Sequence, residues 1–188
     1  MKLPFKGLKI ISPFFWVALF VLANLFFCTG CEKKQGVRIG DTPPVISGND
    51  INGEHVSLGK LKGKIVVIYF WTNSCCGDSL KKLEPYYREN KDKGLVVLAV
   101  NVGDTKETVE SYTKNNVLTF TMLTDEHAKL FKEYQAFGYP TIFILDKNGI
   151  VREKILGDIQ TEKLQALVIK QFKIQKEVES NYEKIHPR

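Results

Sequence analysis

The chain has 188 residues, of which 44% are hydrophobic and 26% are charged, and these values are typical of a soluble globular protein. This length allows one domain with a well-packed core and is short for two domains of ordinary size. The net charge of +6 includes Lys2, Lys6 and Lys9 at the N-terminus, and without those three it falls to +3. Because the charge is mild and the basic residues are not clustered with aromatic ones, we do not expect nucleic acid as a partner.

The first 31 residues have the pattern of an export signal. Residues 14–27 are apolar except for Asn24, and Thr29-Gly30-Cys31 follows. This ending resembles the lipobox of bacterial lipoproteins, in which the cysteine is lipidated and becomes the new N-terminus. An uncleaved membrane anchor is the alternative, because the segment from Leu8 to Cys28 has about the 20 residues needed to span a bilayer. In both cases we predict a membrane-anchored domain in the periplasm or another extracytoplasmic space, with Cys31 as the candidate lipidation site.

Residues 32–39 are polar and predict a tether, and we expect the folded domain to span residues 40–175. An Asn52-Gly53 pair between short extended segments predicts a β-hairpin within residues 45–58. The continuous apolar run from Lys64 to Trp71 predicts a strand that is buried on both faces.

Helices and strands are then predicted to alternate. Leu80, Leu83 and Tyr87 recur at helical spacing, and Pro85 is expected to kink their helix. Further strands are predicted over residues 95–102, 119–123, 141–145 and 150–156, and a turn at residues 147–149 joins the last two. Three further helices are predicted: one begins at a capping box over residues 104–107, one follows a cap at Asp125, and one runs from Thr161 through Phe172. Residues 176–188 are polar and predict a frayed tail. The alternation predicts an α/β fold with a mixed central sheet, helices on both faces and an N-terminal β-hairpin.

Two adjacent cysteines, Cys75 and Cys76, follow the buried strand at the start of a predicted helix. Open α/β sheets build their sites in loops at the carboxyl ends of strands. The unpaired N–H groups and the dipole at a helix N-terminus stabilise a thiolate, which lowers the cysteine pKa and produces a nucleophile. We therefore predict a redox site at this pair rather than two structural thiols. If Cys28 is removed with the signal and Cys31 is acylated, these are the remaining free thiols.

Several separate segments between Gly40 and about Phe172 share the pattern of one known family. They are Asn52-Gly53, Val56-Ser57-Leu58, Leu61-Lys62-Gly63-Lys64, Tyr69-Phe70-Trp71, Val100-Asn101-Val102-Gly103-Asp104 and Gly138-Tyr139-Pro140-Thr141. With these segments the chain resembles the TlpA/ResA-type membrane-anchored thioredoxin-like oxidoreductases. The resemblance implies a thioredoxin-like fold and thiol-disulfide exchange with extracytoplasmic protein thiols, as in cytochrome c maturation or disulfide reduction, with a membrane or periplasmic redox donor. We expect no cofactor and a monomeric protein.

The resemblance implies roles for residues around the cysteines as well. Pro140 is expected to follow a cis peptide bond and to face the cysteines, with Tyr139 beside the site. Trp71, Tyr139 and Thr141 are expected to contribute to substrate binding. Asp104 corresponds in position to an acidic residue that assists proton transfer in this family, although its spacing from Glu107 also fits a helix cap, and both interpretations stay open.

The redox motif departs from the Cys-x-x-Cys of the family. With Cys75 as the first cysteine, Asp78 stands at the second position, where it could act as a base or cap the helix. With Cys76 as the first, Ser79 stands there instead. A bridge between the two neighbours would be strained, because Cα atoms joined by a trans peptide lie about 3.8 Å apart and disulfides prefer roughly 4.4–6.8 Å. Cys76 is therefore either a resolving thiol that forms an easily reduced bridge or an auxiliary to a monothiol centre.

Two other classes of function compete with the oxidoreductase. The first is a copper-binding or redox-inactive thioredoxin-like binding protein, since adjacent thiolates could hold Cu(I), but no histidine or methionine accompanies them at ligand spacing. A peroxiredoxin-like peroxidase would need a proline-threonine-cysteine pocket that the sequence lacks. The three histidines, His55, His127 and His186, are scattered and predict no metal site. We therefore expect an extracytoplasmic thiol-disulfide oxidoreductase that acts through Cys75.

Overall fold

A computed structural model describes residues 36–186, and within this range one mixed sheet is flanked by helices on both faces. The predicted lipidation site Cys31 and the signal or anchor over residues 1–31 lie outside the described residues. The elements are β1 (Ser47–Asn49), β2 (His55–Ser57), β3 (Ile65–Trp71), α1 (Gly77–Asn90), β4 (Leu95–Val102), α2 (Lys106–Asn115), β5 (Thr121–Asp125), α3 (Lys129–Glu133), β6 (Thr141–Leu145), β7 (Val151–Leu156) and α4 (Thr161–Ile185).

The central sheet has the strand order β5-β4-β3-β6-β7. Strand β3 pairs in parallel with β4 and antiparallel with β6, so it lies in the middle and all seven of its residues are buried. This explains its continuous apolar sequence, because both of its faces are covered. The predicted mixed sheet and α/β fold class are confirmed.

Alternate residues of β3 point to opposite faces of the sheet. Tyr69 and Trp71 face a core that includes apolar residues of α1, α2 and α4. Phe70 faces the other core, where it packs against Phe131 of α3 and Tyr134. The chain that follows β3 therefore emerges between two packed layers.

The predicted hairpin is confirmed as β1 and β2, which pair antiparallel ahead of the main sheet. Gly53 has a φ of 85°, a left-handed conformation that glycine adopts without a steric penalty. The Asp50 carboxylate accepts hydrogen bonds from the backbone N–H groups of Asn52 and Glu54. Ile51 then donates its backbone N–H to Met122, which ties the turn to β5.

The structure corrects four expectations about element boundaries. The N-cap of α2 is Thr105, whose hydroxyl accepts from the Thr108 N–H, and not Asp104. Strand β5 covers residues 121–125 rather than 119–123. Residues 36–39, expected in the tether, already pack on the domain, because Val37 is buried in the core.

The fourth correction concerns the last helix, which continues to Ile185 instead of fraying after Gln175. Its second half is fixed to the domain by an ion pair between Glu179 and Lys147, the latter in the turn after β6. The residues in this half are polar but good helix formers, so the helix continues where its core-facing residues end. Among the described helices none is long and apolar enough to cross a membrane.

Candidate active site

The loop between β3 and α1 carries both cysteines. After Trp71 ends the strand, the backbone N–H groups of Cys75 and Cys76 both donate to the Thr72 carbonyl, at 3.3 and 3.2 Å. This tight turn places Cys76 at the N-cap position of α1. The site therefore lies at the carboxyl end of the central strand, as predicted.

The two cysteines differ in exposure, although they are adjacent in the chain. Cys75 is exposed, and its Sγ lies 3.9 Å from the carbonyl oxygen of Tyr139. Cys76 is only 3% exposed and packs in the core with Tyr69 and Leu80. Both are free thiols in the structure. Of these two thiols, Cys75 is the one that another molecule can reach.

The surroundings of Cys76 disfavour its thiolate. Burial and then a hydrogen bond with the neighbouring Cys75 thiol together raise the pKa of Cys76 to about 12, although a backbone hydrogen bond at Thr72 opposes both effects. The carboxylate of Asp158 also contributes to the higher pKa. The expectation that the helix start lowers a cysteine pKa is therefore wrong for Cys76, because loss of hydration outweighs the helix dipole.

The predicted proline loop lies directly beside Cys75. The Tyr139–Pro140 peptide bond is cis, as expected, and Pro140 is buried. Tyr139 is half-buried, and its ring stacks on Phe131 with centroids 4.7 Å apart. The buried Thr141 hydroxyl donates to the Gly138 carbonyl at 2.6 Å, so this side chain closes the turn and is not open to a substrate.

Trp71 does not border the surface either. Its side chain is fully buried, and its ring packs on that of Tyr112 with centroids 4.9 Å apart. The expectation that Trp71 contacts substrate is therefore wrong, because its position in β3 directs the ring into the core. Its indole N–H has no hydrogen-bond partner among the described residues, and the same holds for the hydroxyls of Tyr69 and Tyr112 in the same core.

Asp104 is connected to the cysteine loop through hydrogen bonds. Its Oδ2 accepts from the backbone N–H of Asn73 and from the side-chain amide of Asn101, both at 2.9 Å. Asn101 is fully buried at the end of β4, and its Oδ1 accepts the Asp104 N–H. The carboxylate thus fixes the backbone two residues before Cys75.

The two candidates for the second motif position have different partners. Asp78 is exposed and forms an ion pair with Lys81 at 2.6 Å, which lowers its pKa. Asp78 therefore stabilises the first turn of α1 and does not contact the thiols through this ion pair. The Ser79 hydroxyl donates to Asp158 Oδ1 at 2.8 Å, and this bond links α1 to the loop after β7.

A match to a family model shows to which family this chain belongs. Residues 39–154 match the model of the AhpC/TSA family, and this segment covers more than half of the chain. The chain belongs to the AhpC/TSA family.

Relatives of this AhpC/TSA-family protein carry the name thiol-disulfide oxidoreductase ResA. A relative from Bacillus cereus is 31% identical over 153 residues, which cover 80% of this chain and 86% of the relative. A relative from Geobacillus kaustophilus is 32% identical over 151 residues, which cover 79% of this chain and 87% of the relative.

Solved structures of similar proteins have the same fold. StoA from Bacillus subtilis is 29% identical with a TM-score of 0.58, and the match covers 66% of this chain and 96% of StoA. A putative thioredoxin from Neisseria meningitidis is also 29% identical, with a TM-score of 0.65 and a match covering 71% and 91% of the two chains. The thioredoxin-like fold expected from the sequence is thus confirmed.

Sequence reasoning missed three residues that support the site of this AhpC/TSA-family protein: Asn73, Asn101 and Asp158. Asn101 carried a usable signal, because it is a polar residue in an otherwise apolar strand. Asp158 carried none, since it reaches Ser79 across 79 positions of the chain. Within residues 36–186, no group of three or more His, Cys, Asp or Glu side chains could hold a metal ion.

Proposed function

We propose that this protein is a thiol-disulfide oxidoreductase that reacts with extracytoplasmic protein thiols and disulfides through Cys75, with Cys76 as a buried auxiliary thiol. The class of the activity follows from relatives of that name, which match four fifths of the chain. The assignment of Cys75 rests on one observation: it is the exposed thiol of the pair, beside the carbonyl of Tyr139.

Reduction of a substrate begins when the Cys75 thiolate attacks one sulfur of the substrate disulfide. That S–S bond breaks as the mixed disulfide forms, and the other substrate sulfur leaves as a thiolate that takes up a proton. A second thiolate must then attack the Cys75 sulfur to release the substrate. The substrate gains two electrons, and the donor of the second thiolate loses them.

Cys76 is poorly suited to supply the second thiolate. With a pKa of about 12, it is almost entirely protonated at neutral pH, and its sulfur is covered by the core. An external dithiol, from a membrane or periplasmic donor, would therefore attack the Cys75 mixed disulfide and become oxidised to its own disulfide. This favours the monothiol alternative over a bridge between the two neighbours.

The N-terminal sequence supports the proposed location. The lysine-apolar-small-residue pattern over residues 1–31 fits export, with Cys31 as the proposed lipid attachment site. The domain would then face an oxidising compartment, where disulfides persist in proteins.

Trapping of the mixed disulfide tests the proposal. Wild type, Cys75→Ser and Cys76→Ser would be reacted with an aromatic disulfide and with a disulfide-containing peptide, and the adducts counted by intact mass. Cys75→Ser should lower the rate of adduct formation by about 100-fold or more, because the remaining thiol is buried and protonated. Cys76→Ser should retain the rate within about threefold.

Two outcomes would contradict the assignment. A mixed disulfide that forms on Cys76 in the Cys75→Ser protein at the wild-type rate would reverse the roles of the two thiols. Loss of dithiol-driven turnover in Cys76→Ser, together with a wild-type mass two hydrogens lighter after oxidation, would establish Cys76 as the resolving thiol.

A further inference from the structure

Three segments of the chain meet at the end of the sheet that lies opposite to the cysteines. The chain before β3, the chain before β4 and the turn after β6 meet there: Gly63 donates its N–H to the Lys147 carbonyl at 2.8 Å, and Ile65 donates to the Gly94 carbonyl at 3.0 Å. The seven residues of β3 separate this end from the Cys75 loop by about 20 Å.

Lysines dominate these three segments. Residues 60–64, 91–94 and 147–150 contain six lysines and a single acidic residue, Asp92. Five of the lysines are exposed and the sixth is half-buried. The lysines are Lys60, Lys62, Lys64, Lys91, Lys93 and Lys147.

The second half of α4 adds a cavity of about 430 Å³ to this end. Ile169 and the half-buried Phe172 form its apolar floor, and Ile169 remains 42% exposed. Lys93, Lys147, Lys173 and Lys176 surround the opening, together with Asn90 and the carboxylate of Glu179.

The lysines around this cavity are only partly neutralised. Lys147 pairs with Glu179, and Lys93 donates to the Asn90 side chain. Over residues 36–186, the ammonium groups of Lys173 and Lys176 have no ion-pair or hydrogen-bond partner. Two unpaired cations therefore stand above an apolar floor.

We propose that this end of the domain rests on the surface of an anionic phospholipid bilayer, with a phosphate headgroup at the lysine-rimmed cavity. One small pocket is enough to bind a free phosphate ion, whereas these lysines extend over three loops and a helix and therefore suit a large anionic surface. Each lysine held near an anionic membrane surface strengthens binding by about fivefold. The apolar floor suits the glycerol and upper acyl region below a headgroup.

This placement has a consequence for the proposed oxidoreductase. A domain that rests on its lysine end directs Cys75 away from the bilayer, toward exported proteins. The expected N-terminal anchor would hold the chain near the membrane, and the lysine end would set the orientation.

Lysine acetylation of the full-length chain tests the proposal. The protein would be placed in nanodiscs of phosphatidylcholine alone, or with about a quarter phosphatidylglycerol, and labelling would be followed by mass spectrometry. Lys173 and Lys176 should label about fivefold more slowly in the anionic discs, and about 0.5 M salt should remove the difference. Lys106, at the cysteine end, serves as the internal control and should label equally in both discs.

Two double variants distinguish binding by this lysine-rich surface from a general effect of net charge on membrane binding. Lys173→Glu/Lys176→Glu should abolish the protection of Lys93 in anionic discs, whereas Lys106→Glu/Lys129→Glu, with the same change in net charge, should leave it intact. Equal labelling of Lys173 in both discs would overturn the proposal. Protection by inorganic phosphate alone, or in discs of neutral lipid, would also overturn it, since these results would indicate a free anion or a protein partner. No readout uses disulfide exchange, so the test is independent of the proposed activity.

Discussion

Cys75 and Cys76 show how strongly burial governs the chemistry of a single residue. Both are at the start of α1, where the helix dipole stabilises a nearby anion by about 0.3–1 kcal/mol. The pKa of Cys76 nevertheless rises from 9.0 to about 12, chiefly because burial removes water from around its thiolate. Burial therefore outweighs the dipole at Cys76, and the exposed position of Cys75 supports its proposed role as the reactive thiol.

Asp104 acts, in our interpretation, as a positioning residue for Cys75. We expect Asp104→Asn to lower the rate of mixed-disulfide formation by about tenfold, because the amide keeps one acceptor oxygen but loses the charge that strengthens the bonds to Asn73 and Asn101. Stopped-flow kinetics over a range of pH would measure the rate, and hydrogen exchange would report the protection of the Asn73 amide.

Asp78→Asn is the matched control, since Asp78 is an exposed carboxylate near the same loop, and its ion-pair partner within residues 36–186 is Lys81. The control should react at the wild-type rate. A changed shape of the pH profile in Asp104→Asn, with unchanged protection at Asn73, would instead identify Asp104 as a proton-transfer group that acts on the reacting sulfur.

At the scale of elements, the Ser79–Asp158 hydrogen bond connects α1 to the loop between β7 and α4. A carboxylate acceptor at 2.8 Å makes a strong bond, and its loss should let the first turn of α1 open more often. We expect Ser79→Ala to accelerate iodoacetamide labelling of Cys76 by about five- to tenfold and to leave the labelling of Cys75 unchanged. Peptide mass spectrometry would follow the two cysteines separately.

Two further variants show whether the bond or the charge is responsible. Ser74→Ala removes a hydroxyl in the same loop whose hydrogen-bond partner among the described residues is the Thr72 hydroxyl, and it should have no effect on Cys76. Asp158→Asn retains an acceptor oxygen for Ser79 and should accelerate Cys76 labelling less than Ser79→Ala. Faster labelling in Asp158→Asn alone would show that the negative charge, and not the link between elements, protects Cys76.

The elements that carry the site could be predicted because their signals are local. The apolar run that ends at Trp71 predicted β3, and the loop that follows it predicted where the cysteines lie. The direction of the Trp71 ring and the burial of Cys76 could not be predicted, because they depend on which face of the sheet α1 and α2 cover. The extension of α4 was missed because its apolar pattern weakens after Phe172, although helix-forming residues and the contact of Glu179 with Lys147 continue.

At the scale of the whole molecule, the core beneath the cysteines is sensitive to alkaline pH. The pKa of Tyr69 is raised chiefly by loss of hydration on burial and then by the nearby Cys76 and Asp158. The pKa of Tyr112 is raised to about 12, again chiefly by burial. An unfolded tyrosine has a pKa of about 10. The stabilisation from keeping these phenols neutral is therefore complete below about pH 10 and is lost as the pH rises toward the folded-state values.

Tyr69→Phe tests this expectation, because the Tyr69 hydroxyl is buried without a hydrogen-bond partner among the described residues. At pH 7.5 the variant should match the wild-type free energy of unfolding or exceed it by about 1 kcal/mol, since no bond is lost and an unpaired polar group is removed. Between about pH 10 and 11.5 the wild type should lose up to about 1.4 kcal/mol per pH unit more than the variant. Urea unfolding followed by circular dichroism at each pH would measure both quantities.

Tyr182→Phe is the control, because this tyrosine of α4 is 64% exposed and is hydrated in the folded and unfolded states. It should leave the pH dependence of unfolding as in the wild type. A loss of more than about 2 kcal/mol at pH 7.5 in Tyr69→Phe would mean that the hydroxyl has a buried partner, such as an ordered water shared with Cys76. The core under the cysteines would then be a connected polar network, and the high pKa of Cys76 would depend on that network as well as on burial.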